Sequence, residues 1–96
     1  MKRLILISGL AVVACATEPP PAAELASARA AIEQAGAAVP RSTPAELEAA
    51  RAKLNRARDA AARGNNVQAR RLAQEAEVDA RLAWAMSENE RLRPAQ

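Results

Sequence analysis

PAELEAARAKLNRARDAAARGNNVQARRLAQEAEVDARLA, residues 44–83, decides the fold. Two runs rich in Ala, Arg, Glu, Leu and Gln, all strong helix formers, flank Gly64-Asn65-Asn66. Before the glycine, Leu47, Ala50, Leu54, Ala57 and Ala61 recur at heptad spacing, so one stripe of that helix is apolar. Thr43-Pro44-Ala45-Glu46 opens it with a capping box and a proline at the first helical position. Gly64 suits the left-handed residue that ends a helix. Asn65 or Asn66 can cap the next one, and Gln68 fits a capping box with Asn65. That helix runs to about Leu92, with Pro94 just beyond it. So short a connection between two helices predicts an antiparallel hairpin.

Upstream, Leu25, Ala28, Ile32, Ala35 and Val39 form a similar stripe, which Gly36 weakens and Pro40 stops. The reading is all-α: an antiparallel helical hairpin or a small three-helix bundle with coiled-coil-like Ala/Leu packing. Its domain spans residues 22–93, with helices over about 22–38, 44–63 and 66–92. Glu24 to Ile32 and Glu46 to Leu54 share the pattern E-L-x-x-A-R-A-x-[IL]. A duplicated helical unit explains it, and so does chance in an Ala/Arg-biased chain. The third helix has two apolar faces. At about 100° per residue, Ala69, Leu72, Ala73, Ala76, Ala80, Ala83 and Trp84 line one side. Val67, Val78, Leu82, Ala85 and Leu92 line the other. The second helix is expected on the first side. The second side then awaits the first helix, ahead of a second copy or another protein.

Composition narrows the function. Of the 96 residues 50% are apolar, but 27 are Ala, and from Ala16 onward only twelve larger apolar side chains remain. There is no Phe, Tyr or His, and one Cys. A deep pocket, His-based catalysis, a Cys/His metal site and an internal disulfide are therefore not expected. The few glycines are isolated, and no phosphate-binding loop occurs. Glu75 and Asp79, four apart, read as a solvated face rather than a cation site, and Trp84 as a packing residue of the hairpin seam. The chain is read as a non-enzyme with no cofactor or metal.

The first residues read as an address. Met1-Lys2-Arg3 is a positive start, and Leu4 to Ala14 is an apolar run broken only by Ser8 and Gly9. Eleven residues fall short of the ~20 a spanning helix needs but fit a secretory signal. Val12-Val13-Ala14-Cys15 resembles the lipobox of bacterial lipoprotein signal peptides. That resemblance implies cleavage after residue 14 and a covalent lipid on Cys15. It also implies the periplasmic face of the outer membrane, because Ala rather than Asp follows the Cys. Residues 15–21, with Pro19-Pro20-Pro21, then form a short tether. Ala14-Cys15-Ala16 is also an A-x-A-like cleavage site, and cutting there releases a soluble periplasmic protein.

The formal charge is +3, with 14 Lys and Arg against 11 Asp and Glu, but Lys2 and Arg3 belong to the leader. The rest is nearly neutral and unevenly spread. Residues 51–71 carry seven bases against Asp59, between two acidic segments. Folding the hairpin sets Glu75, Glu77 and Asp79 near Arg56, Lys53 and Arg51, and Asp59 and Arg63 form an i, i+4 pair. Arg58, Arg70 and Arg71 are less easily paired and are the candidate partner-binding residues. Wall carboxylates, lipid phosphates and an acidic protein are the candidate partners. A homo-oligomer through the third helix is a further candidate, and nucleic acid is disfavoured by the secretion signal.

From Ala22 to Met86 the chain resembles the bacterial domain-of-unknown-function 4398 family. The matching residues are Pro44-Ala45-Glu46-Leu47, then Ala50 to Ala57, then Arg63-Gly64-Asn65, then Ala69 to Ala83. Members are small Ala/Arg-rich envelope proteins, often lipoproteins. The resemblance implies location and helical form, not an activity. The expected role is structural or that of an adaptor in the cell envelope; the alternative is a soluble periplasmic binding or chaperone-like protein using an exposed apolar helix face.

Overall fold

A computed structural model describes residues 19–38 and 44–93. Three helices occupy them: α1 (Ala22–Ala38), α2 (Ala45–Ala62) and α3 (Asn66–Leu92), and no strand occurs among the described residues. They run up, down and up. α1 begins beside the start of α3, where Arg70 reaches Glu24, and ends where Ser87 Oγ donates to the Ala38 carbonyl. α2 returns antiparallel to both.

The turn between α2 and α3 is built as its glycine predicts. Gly64 has φ 77°, in the left-handed region that other residues enter at a cost. The Asn65 N–H donates to the Ala60 carbonyl at 2.9 Å and the Gly64 N–H to Ala61 at 3.0 Å. These two bonds satisfy carbonyls that the end of α2 would otherwise leave open. Two capping details differ from the expectation. Asn65 is the N-cap of α3 but makes no side-chain bond to the backbone; its Nδ2 donates to Gln68 Oε1 at 2.7 Å. Pro44 stands just before the first helical residue of α2, its carbonyl accepting from Leu47 N at 2.9 Å. Thr43 lies outside the described residues, as does Val39, the last member of the first stripe.

Among the described residues, fourteen hydrophobic side chains besides Pro21 are buried, and of these Ile32, Leu47, Leu54 and Leu72 are larger than Ala. The core is thus a close approach of Ala-lined helices around four larger side chains. In α2 the buried positions are Leu47, Ala50, Leu54, Ala57 and Ala60. Ala60 takes the place the heptad pattern assigns to Ala61. Ala60 lies at the turn, where its carbonyl accepts from Asn65 N, and the start of α3 covers it there.

α3 is the central helix and seats both others on one face. Ala69, Leu72, Ala73, Ala76, Ala80 and Ala83 are its buried residues. α1 was expected to cover the opposite side and does not; it lies beside α2 on the same side of α3. Two features explain this. Five of the six residues on that face are Ala, so two helices can approach the axis closely enough to share it. The E-L-x-x-A-R-A-x-[IL] pattern gives both helices equivalent buried positions, Ala28 and Ile32 in α1 and Ala50 and Leu54 in α2. The opposite face of α3 stays in solvent, with Val67 64%, Val78 63%, Leu82 48% and Leu92 73% exposed. Trp84 is exposed too, standing over Ala31 and Gln34 of α1 beside a surface recess rather than within the α2–α3 seam.

Candidate functional site: the basic turn end

The chain's basic segment folds around the α2–α3 turn. Arg56, Arg58 and Arg63 lie in or just after the last two turns of α2, and Arg70 and Arg71 in the first two turns of α3. The three candidate residues share this end of the bundle but not one surface. Arg70 is engaged within the bundle. Its Nε donates to Glu24 Oε1 at 3.2 Å and its Nη2 to the Pro19 carbonyl at 3.1 Å. Both groups of the pair are mostly covered, so screening by water is reduced. Arg70 acts as a clamp within the bundle: it ties the segment ahead of α1 onto the start of α3. Sequence separation hid this, since Glu24 and Arg70 are 46 residues apart.

Arg58 is exposed beside α1, lining an open recess with Leu25, Ala26 and Arg29. Arg71 is exposed on the solvent side of α3, between Val67 and Val78. Neither has an ion-pair partner among the described residues. Arg63 joins them. The expected Asp59–Arg63 side-chain pair is not formed; Arg63 is the C-cap of α2, with ψ 3°. What bonds there is backbone: Arg63 N donates to the Asp59 carbonyl at 3.1 Å. Arg63 is thus a tip residue that the sequence pattern had assigned to a surface pair.

Other charges are spent within the bundle. Lys53 Nζ lies 2.7 Å from Asp79 Oδ2, an oxygen shielded from solvent, and joins α2 to α3. The Lys53 amine is held above its ordinary pKa by its side-chain hydrogen bond to Asp79, against some desolvation, with the charges of Asp79 and Glu75 adding to the rise. Asp79 is thereby engaged by Lys53 rather than set beside Glu75 as a cation pair, and no group of three or more metal-ligating side chains occurs among the described residues. Arg51 pairs with Glu48 and Arg81 with Glu77 along their own helices, at 2.9 and 2.6 Å. The sequence pattern sets Glu77 near Lys53 and Asp79 near Arg51 across the hairpin; instead Lys53 takes Asp79, and Arg51 and Glu77 pair within their own helices, where the reach is shorter.

The sequence pattern of a family described as a domain of unknown function, DUF4398, matches residues 23–96. The chain belongs to this family. The match takes in all three helices apart from the first residue of α1. No curated protein and no solved structure matches the chain. Membership of DUF4398 thus brings no activity with it, and the site must be read from its residues.

Cys15 lies outside the described residues. Among those described, no helix is long and apolar enough to cross a membrane. The first described residues show where anything attached upstream would enter. Pro21 is fully buried, Pro19 is held by Arg70, and both lie at the turn end.

Proposed function

We propose that this DUF4398 protein is a membrane-anchored, periplasm-facing lipoprotein, acylated on Cys15, with a structural or adaptor role in the cell envelope. The observation that carries the reading is the short, fastened entry into the bundle. Only three residues separate Cys15 from Pro19, whose carbonyl is bonded to Arg70. At most about 3.6 Å per residue, the intervening chain reaches about 14 Å. A body fastened so close to its anchor suits a role at the membrane face rather than reach across the periplasm. The positive start, the apolar run and the Cys in lipobox order support the anchor. One acyl chain holds weakly and two or three hold stably, so full acylation is what makes the anchor lasting. The bundle is proposed as non-catalytic, its work done by surfaces. Cys15→Ser followed by fractionation tests this: the variant should leave the membrane fraction, and retention there would reject the anchor.

The exposed side of α3 favours a second reading. Val67, Val78, Leu82 and Leu92 lie in water on a single helix face. A soluble periplasmic binding or chaperone-like protein would use that face, and a homo-oligomer would bury it. Sedimentation of the acyl-free chain, with Val78→Ser and Leu82→Ser as the comparison, separates self-association from a monomer. Acyl mass on Cys15 separates the soluble form from the anchored one.

A further inference from the structure

We infer that the turn end of the bundle docks onto anionic phospholipid headgroups through Arg58, Arg63 and Arg71, so that the bundle stands on the membrane that anchors it. The inference rests on the anchored reading and adds the partner and the orientation. Two independent placements carry it. First, the tether enters at the turn end, because Arg70 holds Pro19 and Glu24 against the start of α3. Second, the same end bears arginines that have no ion-pair partner among the described residues. Arg58 stands four residues before the end of α2, Arg63 follows that end, and Arg71 is the sixth residue of α3. At about 1.5 Å per residue, all three Cα atoms lie within about 8 Å, along the axes, of the helix ends they flank.

The other end is different in sign and in reach. Glu46, Glu48, Glu88 and Glu90 gather there against Arg91 and Arg93. The 27 residues of α3 set it about 40 Å away. A tether of about 14 Å holds the arginine end at the headgroups, whereas the far end could touch them only with the bundle lying flat, against the repulsion of its glutamates by an anionic surface. Surface attraction falls off within a screening length of about 8 Å at physiological salt, so placement decides which charges count. Arg58, Arg63 and Arg71 lie on different sides of the tip rather than in one pocket. Such a spread suits a flat charged surface and not a single small anion. The short tether places lipid phosphate, rather than the wall, next to them.

The test uses the full acylated chain in vesicles. One fluorophore is placed at Asn65→Cys on the tip and, in a separate protein, at Asn89→Cys near the other end. Vesicles are phosphatidylcholine alone or mixed with phosphatidylglycerol, and a headgroup-borne quencher reports proximity. The tip label should be quenched in phosphatidylglycerol vesicles, less in phosphatidylcholine, and released by high salt; the Asn89 label should be quenched in neither. The triple variant Arg58→Gln, Arg63→Gln, Arg71→Gln should lose the contrast, by roughly fivefold per arginine in surface partition, with its helical circular dichroism unchanged. Equal quenching of both labels, or no lipid and salt contrast at the tip, overturns the proposal. So does loss of that contrast together with salt-sensitive retention on isolated wall material, which assigns the tip to the wall. Acyl mass on Cys15 is measured on the same samples and judges the anchor alone. Should Cys15 prove unmodified, flotation of the chain with phosphatidylglycerol vesicles decides the tip: salt-sensitive flotation supports docking, and none rejects it.

Discussion

The two faces of α3 invert the usual order of hydrophobicity. The covered face is made of Ala69, Ala73, Ala76, Ala80 and Ala83 around the single larger side chain of Leu72, and two helices lie on it. The face in water carries Val67, Val78, Leu82 and Leu92, each more apolar than Ala. Side-chain size and continuity explain the choice. Small residues let helix axes come close, and close approach multiplies dispersion contacts along the whole length. The larger residues of the other face are broken up by Arg71, Gln74 and Asn89, so no unbroken ridge forms. Burial here follows shape before hydrophobicity.

The comparison is open to four tests. The largest effect belongs to the few side chains that fill the Ala-lined core. Leu72→Ala should cost about 2–5 kcal/mol, enough to unfold much of so small a domain. Leu82→Ala, the same change on the other face, should stay within about 0.5 kcal/mol. Urea unfolding followed by helical circular dichroism compares them, and equal losses would break the distinction.

Next is the demand for small residues. Ala76→Leu should cost about 1–3 kcal/mol by pushing α1 and α2 off the shared face. Ala85→Leu, on the exposed side, should be close to neutral. A neutral Ala76→Leu would show that close approach is not what holds the helices there.

Gly64→Ala sharpens the picture by changing no contact. A Cβ at Gly64 meets nothing within 4 Å. The expected loss of about 1–2 kcal/mol is therefore purely the left-handed backbone, φ 77°. Thermal unfolding measures it, and an unchanged midpoint would mean that the turn relaxes to another form.

The smallest effect is the pH response of the Lys53–Asp79 pair on the flank of the covered face. Its amine has a raised pKa in the folded chain. The stabilisation is thus fully present below the ordinary value of 10.5 and is lost as pH rises through the higher folded value. The thermal midpoint of the parent should fall more on crossing that window than that of Lys53→Met. Parallel curves would remove the pair from the stability of the seam.

Much of this architecture is legible from short-range patterns. Pro40, the Pro44 start and the Gly64 turn divide the chain into three helices, and the Leu and Ala stripes name most of the buried residues. Capping details were less legible, because Asn65 can satisfy its side chain with Gln68 as readily as with backbone. For the basic end, the pattern shows that Arg58 and Arg71 are left over from local pairing. It misplaces Arg63, which is joined to Asp59 through backbone and not through side chains. It also misplaces Arg70, whose partner is supplied by a different helix.

The amino-acid sequence by itself therefore determined the helices, their breaks, the hairpin and membership of DUF4398, since propensities, caps and turns act within a few residues. Only the tertiary structure decided which side of α3 receives α1, which arginine is consumed as a clamp, and that Pro19 and Pro21, ahead of α1, lie at the basic end. Those outcomes depend on how closely two axes can approach and which charges then meet, and neither is set by residues adjacent in the chain.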